Sequence, residues 1–217
     1  MDSLRLYVSV PVAGFRVAQA REFWETYPCP PPSTIYGMLL SLVGEPNRLV
    51  HQGTEIAVAL LSEPERSVVL RTLWRVKDRK SPPGLDTNRR PDFQELLSDV
   101  RLSVWVRPGR REGASNGLAH RLQVVLREPH RTYRFGGLSL GESTHLVDEV
   151  RGWRADDPAQ GRVLVRNERG DLSLPVWPDH VGSKDTAWQQ FTLGETSPLG
   201  SEPPEEAWVA IRPLEAT

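Results

Sequence analysis

The chain has 217 residues, 38% hydrophobic and 25% charged, with a net charge of −1. That length fits one elaborated domain or two small ones. No uninterrupted apolar run is long enough to cross a bilayer, MDSLRLYVSVPV lacks the pattern of a secretion signal, and the single Cys29 excludes an intrachain disulfide and a cysteine-rich zinc site. A cytoplasmic protein with no cofactor and no membrane contact is therefore expected.

Leu4, Leu6, Val8, Val10 and Val12 alternate with Arg5, Tyr7, Ser9 and Pro11, the pattern of a half-buried strand. An irregular connection, Gly14 to Pro32, follows. YPCPPPSTIYGMLLSLVGE, Tyr27 to Glu45, then places three prolines and two hydroxyls ahead of an apolar run. This predicts a helix from Ser33 to about Val43, capped by a hydroxyl and stopped at Gly44-Glu45-Pro46. The N-terminus of such a helix presents N–H groups and the positive end of a dipole, so Ser33 and Thr34 are candidates for holding a phosphate. An ordinary capped core helix gives the same local pattern. Glu55 to Leu61 reads as a short apolar strand.

Arg66 to Lys77 alternates again, with Val68, Leu70, Thr72, Trp74 and Val76 on one face and Arg71, Arg75 and Lys77 on the other. The first set reads as the core face, which places Trp74 inside. KDRKSPPGLDTNRRPDF is too rich in proline for a helix or a central strand. A helical turn at Asp92–Leu97 is expected next, and then a strand with Val100, Leu102, Val104 and Val106 inward and Arg101, Ser103, Trp105 and Arg107 outward. Two strands joined by a basic excursion make an extended hairpin. Asn116 opens a second helix stopped by Pro129, and RFGGLSLGESTHLVDEV supplies a glycine-rich loop leading into a strand. The order matches a βαββαβ arrangement with an enlarged central hairpin: an α+β, ferredoxin-like fold. Residues 1–150 form that domain, and residues 151–217 form a small β-rich subdomain in which RVLVR (162–166) and DLSLPVW (171–177) pair as a hairpin.

Charge is uneven. Residues 66–134 hold 16 Lys/Arg and 7 Asp/Glu, a net of +9, and the remainder is acidic. A basic segment on an acidic body suggests a face for a polyanion, and its arginine content suits phosphates and bases. Arg71, Arg75, Lys77, Arg79, Lys80, Asn88, Arg89 and Arg90 form that face, with Trp105 as the base-stacking candidate. In the glycine-rich loop, Gly136, Gly137, Ser139, Gly141 and Ser143 allow close backbone approach, and successive N–H groups can cradle a phosphate. The loop fits neither a Walker loop nor a dinucleotide fingerprint. A tight turn or bulge explains it equally well. No histidine has metal-ligand spacing with another or with Cys29. His145, beside the loop, is the one histidine placed to act as a base, although a hydrogen-bonded structural role is the simpler reading.

YPCPPPSTIYGMLLSLVGE and RFGGLSLGESTHLVDEV, with LWRVKD…NRRPDFQELL between them, resemble the fifth Cas family of CRISPR-associated proteins in the RAMP superfamily. Within it, the chain is similar to the branch called fruiting-body developmental protein S. The resemblance covers about the first 150 residues. It implies a noncatalytic subunit of a type I Cascade surveillance complex in antiviral defence, one that caps the 5′ handle of the crRNA. It also implies contact with the adjacent backbone subunit through a thumb at about 66–107, contact with the large subunit, and indirect contact with target DNA. The handle pocket would be lined by the Gly136–Ser143 loop, with a contribution from Ser33 and Thr34.

The alternative is a metal-independent endoribonuclease that processes precursor crRNA, as one branch of that family does with a Tyr, Lys and His set. No Lys-His dipeptide occurs here; His130 precedes Arg131, and Tyr36 lies in the first helix. An unrelated ferredoxin-like RNA-binding module would be expected to carry aromatic residues on its central strands, and Glu55 to Leu61 has none.

Overall fold

The computed structural model describes residues 3–21, 23–74, 77–113, 116–180 and 185–213. Its frame is a large, almost wholly antiparallel sheet. Strands β1 (Leu4–Ala13), β3 (Glu55–Leu60), β5 (Arg89–Arg107), β6 (Glu149–Gly152), β7 (Gln160–Arg166), β8 (Leu172–Trp177) and β9 (Ala187–Leu193) lie in the order β6-β1-β5-β3-β7-β9-β8. Short β2 (Phe23–Trp24) and long β4 (Glu65–Trp74) flank β5, β10 (Ser197–Pro198) pairs with β7, and β11 (Val209–Ala210) pairs with β3. Among the described strands only the β2–β5 pairing is parallel. The α-helices α1 (Pro32–Leu42) and α2 (Leu118–Arg127) complete the α+β architecture. Neither is long and apolar enough to cross a membrane.

Alternation in β1, β3 and β5 decides the core. Leu6, Val8 and Val10 stand beside Val104, Leu102 and Val100, and all are buried beneath Ile35 and Leu39 of α1 and Leu118 and Leu122 of α2. The opposite face is also covered. Ala57 and Ala59 of β3 leave room for the Trp105 indole, and Ala207, Trp208 and Leu199 from the chain's last described stretch close over it. Residues beyond 151 thus contribute both to the sheet and to the cover of its second face.

Several local expectations are corrected. Asp92–Leu97 is not a helical turn but part of one continuous strand, β5, of 19 residues. Along one edge β5 pairs first with β4 over Arg89 to Ser98 and then with β3 over Leu102 to Arg107. Asp99, at the changeover, has φ 58, and its carbonyl accepts from the Ser62 hydroxyl at 2.6 Å. Strands β7 and β8 do not form a hairpin, because β9 lies between them and pairs with both. The second helix starts at Leu118 rather than Asn116. Glu112 reaches across to accept the Leu118 N–H at 2.6 Å, in place of a hydroxyl or amide cap.

The β4–β5 pair runs past the core; one face of its outer half buries Asp92 and Gln94, with Gln94 against Glu142, and the other face is left bare by the described residues. Leu70 and Phe93 lie directly across from each other, Phe23 is in register with Phe93, and all three are exposed. Trp74, expected in the core, is 74% exposed. Trp105, expected outside, is 1% exposed and donates its indole N–H to the Ser201 carbonyl at 2.9 Å. Alternation sorts the residues of both strands onto the right faces, but the covering layers lie elsewhere than it suggests.

Candidate nucleic-acid interface

The helix start differs from the expected cap. Pro31 is the N-cap and no side chain caps the helix; the Ser33 hydroxyl instead donates to the Pro175 carbonyl at 2.8 Å. Pro31 and Pro32 have no N–H, and the Thr34 N–H already donates to the Pro31 carbonyl at 2.9 Å. The prolines fix the entry angle but remove most of the donors that a helix N-terminus would offer an anion.

What surrounds this helix start is richer than expected. Ser33 and Thr34 share one cavity, of about 360 Å³, with Ser139 and Gly141 of the glycine-rich loop and with Arg48, Trp177 and His180. Arg48 has no carboxylate partner among the described residues. Its guanidinium lies 4.4 Å from the centre of the Trp177 ring, and Nη1 donates to the Pro178 carbonyl at 2.6 Å. A cation fixed by a ring and a carbonyl keeps its full charge for an incoming anion.

The glycine-rich loop is anchored at its second half. Leu138 and Leu140 are buried, and Ser139 bridges to Leu146. Gly141 has φ 98, and a Cβ there would lie 2.8 Å from the Gly14 carbonyl, so a side chain is doubly excluded. His145 Nδ1 accepts from the N–H groups of Gly14 at 3.2 Å and Glu142 at 3.1 Å. The remaining proton must therefore sit on Nε2, and burial pushes the imidazole's pKa below its usual value. His145 is a neutral strut for the loop. Gly136, Gly137 and Ser143 are exposed, and Gly136 has φ 75.

Loop and hairpin are joined by Glu142. Arg71 Nη1 meets Glu142 Oε2 at 2.7 Å, Gln94 Nε2 donates to Glu142 Oε1 at 2.7 Å, and Arg71 also donates to Gln94 Oε1. Arg71 thus faces the loop rather than open solvent. Similar pairs absorb much of the basic segment: Arg66–Glu95, Arg90–Asp92, Arg107–Glu55 and Arg121–Glu45, all within 3.0 Å. Glu55 and Glu45 come from outside the segment, so its sequence charge overstates its field.

Positive charge is left at the hairpin tip. Among the described residues, Lys77, Arg79, Lys80 and Arg89 are exposed and form no ion pair. Asn88 shapes this tip from inside. It is fully buried; Oδ1 accepts from the N–H groups of Lys77 at 2.7 Å and Asp78 at 2.9 Å, and Nδ2 donates to the Asp78 and Ser81 carbonyls, each at 2.7 Å. Its amide is spent on the chain's own backbone and is not an outward-facing contact. Arg75 lies outside the described residues.

The structure therefore gathers Ser33, Thr34, Ser139 and Gly141 at one groove and places Lys77 and Arg89 at a separate tip. It removes Asn88 and Trp105 from the surface. Arg48, Trp177 and His180 give no signal in the sequence, because β8 and its exit reach α1 only through tertiary packing. No cluster of three or more metal-ligating side chains occurs among the described residues.

No family model matches the chain. It is 44% identical over 193 residues to a CRISPR-associated protein Cas5 from Myxococcus xanthus (strain DK1622), covering 88% of this chain and 90% of that protein. A chain of a CRISPR RNA-guided surveillance complex superposes with TM-score 0.60 at 15% identity, covering 95% of this chain and 96% of the other. A crystallographically solved Cas protein gives TM-score 0.53 at 14% identity, with 90% and 95% covered. At such identities these two structures speak to the fold alone.

Proposed function

This chain belongs to the Cas5 family of CRISPR-associated proteins, and from that premise we propose that it is a noncatalytic crRNA-binding subunit of a type I Cascade surveillance complex, of the fruiting-body developmental protein S branch. It caps the 5′ handle, and base pairing in the guide reads the target. The carrying observation is the groove in which Ser33, Thr34, Ser139 and Gly141 converge on an Arg48 guanidinium held by a ring and a carbonyl. Hydroxyls, exposed backbone and one fixed cation fit a sugar–phosphate path rather than a base-specific slot.

A ferredoxin-like reading of residues 1–150 is supported by the antiparallel neighbour order β6-β1-β5-β3, which has the connectivity strand, helix, strand, strand, helix, strand. The β4–β5 hairpin is the thumb. Its uncovered Leu70, Phe93 and Trp74 suit an apolar partner, the adjacent backbone subunit, and its cationic tip suits RNA. The large subunit is the further partner, and target DNA is reached through the complex. A noncatalytic role is supported by two groups. His145 Nδ1 is already an acceptor for two backbone N–H groups, and the Tyr36 hydroxyl is buried, donating to the Arg48 carbonyl at 2.7 Å.

The test is reconstitution with co-encoded subunits on guide RNA. Arg48→Glu is expected to abolish protection of the handle while leaving the fold intact by circular dichroism. Charge reversal at Lys77 and Arg89 lowers the salt slope of RNA binding by about 0.7 for each phosphate no longer neutralised. Site-specific cleavage of precursor RNA by the purified chain would replace this reading with the endoribonuclease one.

A further inference from the structure

A second groove, of about 440 Å³, runs along α1 to Gly44, Glu45 and Pro46. It is lined by Gly37, Leu40 and Ser41 of the helix and by Tyr133, Arg134 and Phe135. Gly37, Leu40 and Ser41 also line the first cavity, so the two adjoin along the helix. We propose that this second groove is a base-stacking subsite for single-stranded RNA, with Tyr133 and Phe135 as the platforms and Gly37 as the bare floor beneath the strand. The inference rests on the RNA-binding reading above and adds to it a class of contact, unpaired bases, and the side chains that make it.

Three observations carry it. Tyr133 is 87% and Phe135 93% exposed, while the backbone of Tyr133 lies against Gly44. A Cβ on Gly44 would lie 2.2 Å from the Tyr133 carbonyl oxygen, so the segment is pressed against the end of α1 while its rings are left outside. Rings already standing clear of the fold need no rearrangement before a base stacks on them.

Gly37 is the second observation. Glycine within a helix costs about 1 kcal/mol relative to alanine. Nothing lies within 4 Å of a Cβ added at Gly37, so no packing among the described residues demands it. A ligand that needs close approach to the helix would.

Charge is the third. Arg134 forms no ion pair among the described residues, and the lining carboxylate Glu45 is already bound by Arg121 at 2.7 Å. An arginine between two rings suits nucleobases, which stack on aromatic and guanidinium planes alike.

The test is the affinity of the full chain for a short single-stranded RNA and for the same backbone carrying abasic sites, by fluorescence anisotropy. Replacing both rings with alanine is expected to weaken binding to the intact RNA about tenfold or more, and to leave both the abasic affinity and the salt slope unchanged. Restoring the rings as Tyr133→Trp and Phe135→Trp keeps affinity. Gly37→Leu weakens RNA binding without lowering the melting temperature. If wild type binds RNA and the alanine pair binds it equally, the subsite is wrong and the parent reading stands; loss of co-purification with a Cas subunit in that same variant would reassign the rings to a protein partner. If wild type binds neither oligonucleotide, both readings fall.

Discussion

Trp74 and Trp105 sit on two strands of the same hairpin and stand in similar alternating sequence, yet one is nearly naked and the other nearly sealed. The difference lies in what else reaches each strand. At the root of β5, helices cover one face and the 199–208 stretch covers the other. Outward of Leu97, where its pairing with β1 ends, β5 keeps only β4 and a two-residue β2 beside it among the described strands, and Phe93 is exposed there. A period of two says which residues share a face; whether that face is inside depends on segments that the period does not mention.

The sharpest way to break this comparison is to truncate both indoles. Trp105→Ala removes a ring wedged against Ala57, Ala59 and Trp208 and should cost about 3–5 kcal/mol in urea unfolding. Trp74→Ala should change stability by about 0.5 kcal/mol or less and show itself in assembly with partner subunits instead. Equal losses would mean that the tip is as tightly packed as the root.

A smaller effect tests whether the two regions communicate. Glu142 ties the glycine-rich loop to β4 and β5 through Arg71 and Gln94. A double-mutant cycle on Arg71 and Glu142 should give a coupling of about 0.5–1 kcal/mol, kept modest by partial exposure to water. No coupling would make the loop and thumb independent bodies.

The subtlest test is pH. Burial holds the pKa of His145 below the free value of 6.5, and its Nδ1 accepts from two N–H groups. The unfolded chain therefore takes up this proton before the folded one does. The contribution is complete above pH 6.5 and is lost as pH falls from there towards the folded pKa. Stability followed by urea titration should decline over that window, and His145→Asn should flatten the decline.

Much of the frame is legible in the sequence. β1 and the root of β5 announce themselves by alternation, β3 by a short apolar run, and α1 and α2 by apolar spacing and proline stops. The meeting of Ser33 and Thr34 with Ser139 and Gly141 follows from the family resemblance. Other features are illegible for identifiable reasons. The stretch from 197 to 210 has no period, so nothing in it marks the lid over Trp105. The charge surplus of 66–134 is offset by Glu45, Glu55 and Glu142, which are distant in sequence and near in space. Asn88 looks like a surface donor because the five backbone groups around it become its partners only once the tip has turned. Tyr133 and Phe135 do leave a signal, two aromatics interleaved with arginines in RTYRF, but the glycines beside them are the stronger local feature.

Asp99 carries a mechanical consequence. At about 3.3 Å per residue, the residues from Arg89 to Leu96 make an arm roughly 26 Å long beyond the last pairing with β1, just outward of the left-handed turn of the backbone at Asp99. Over such an arm, a change of about 5° at its root sweeps the cationic end by about 2 Å, enough to break a hydrogen bond. The aim of the arm is thus shared between the bend at Asp99 and the Glu142 tether that holds Arg71 and Gln94.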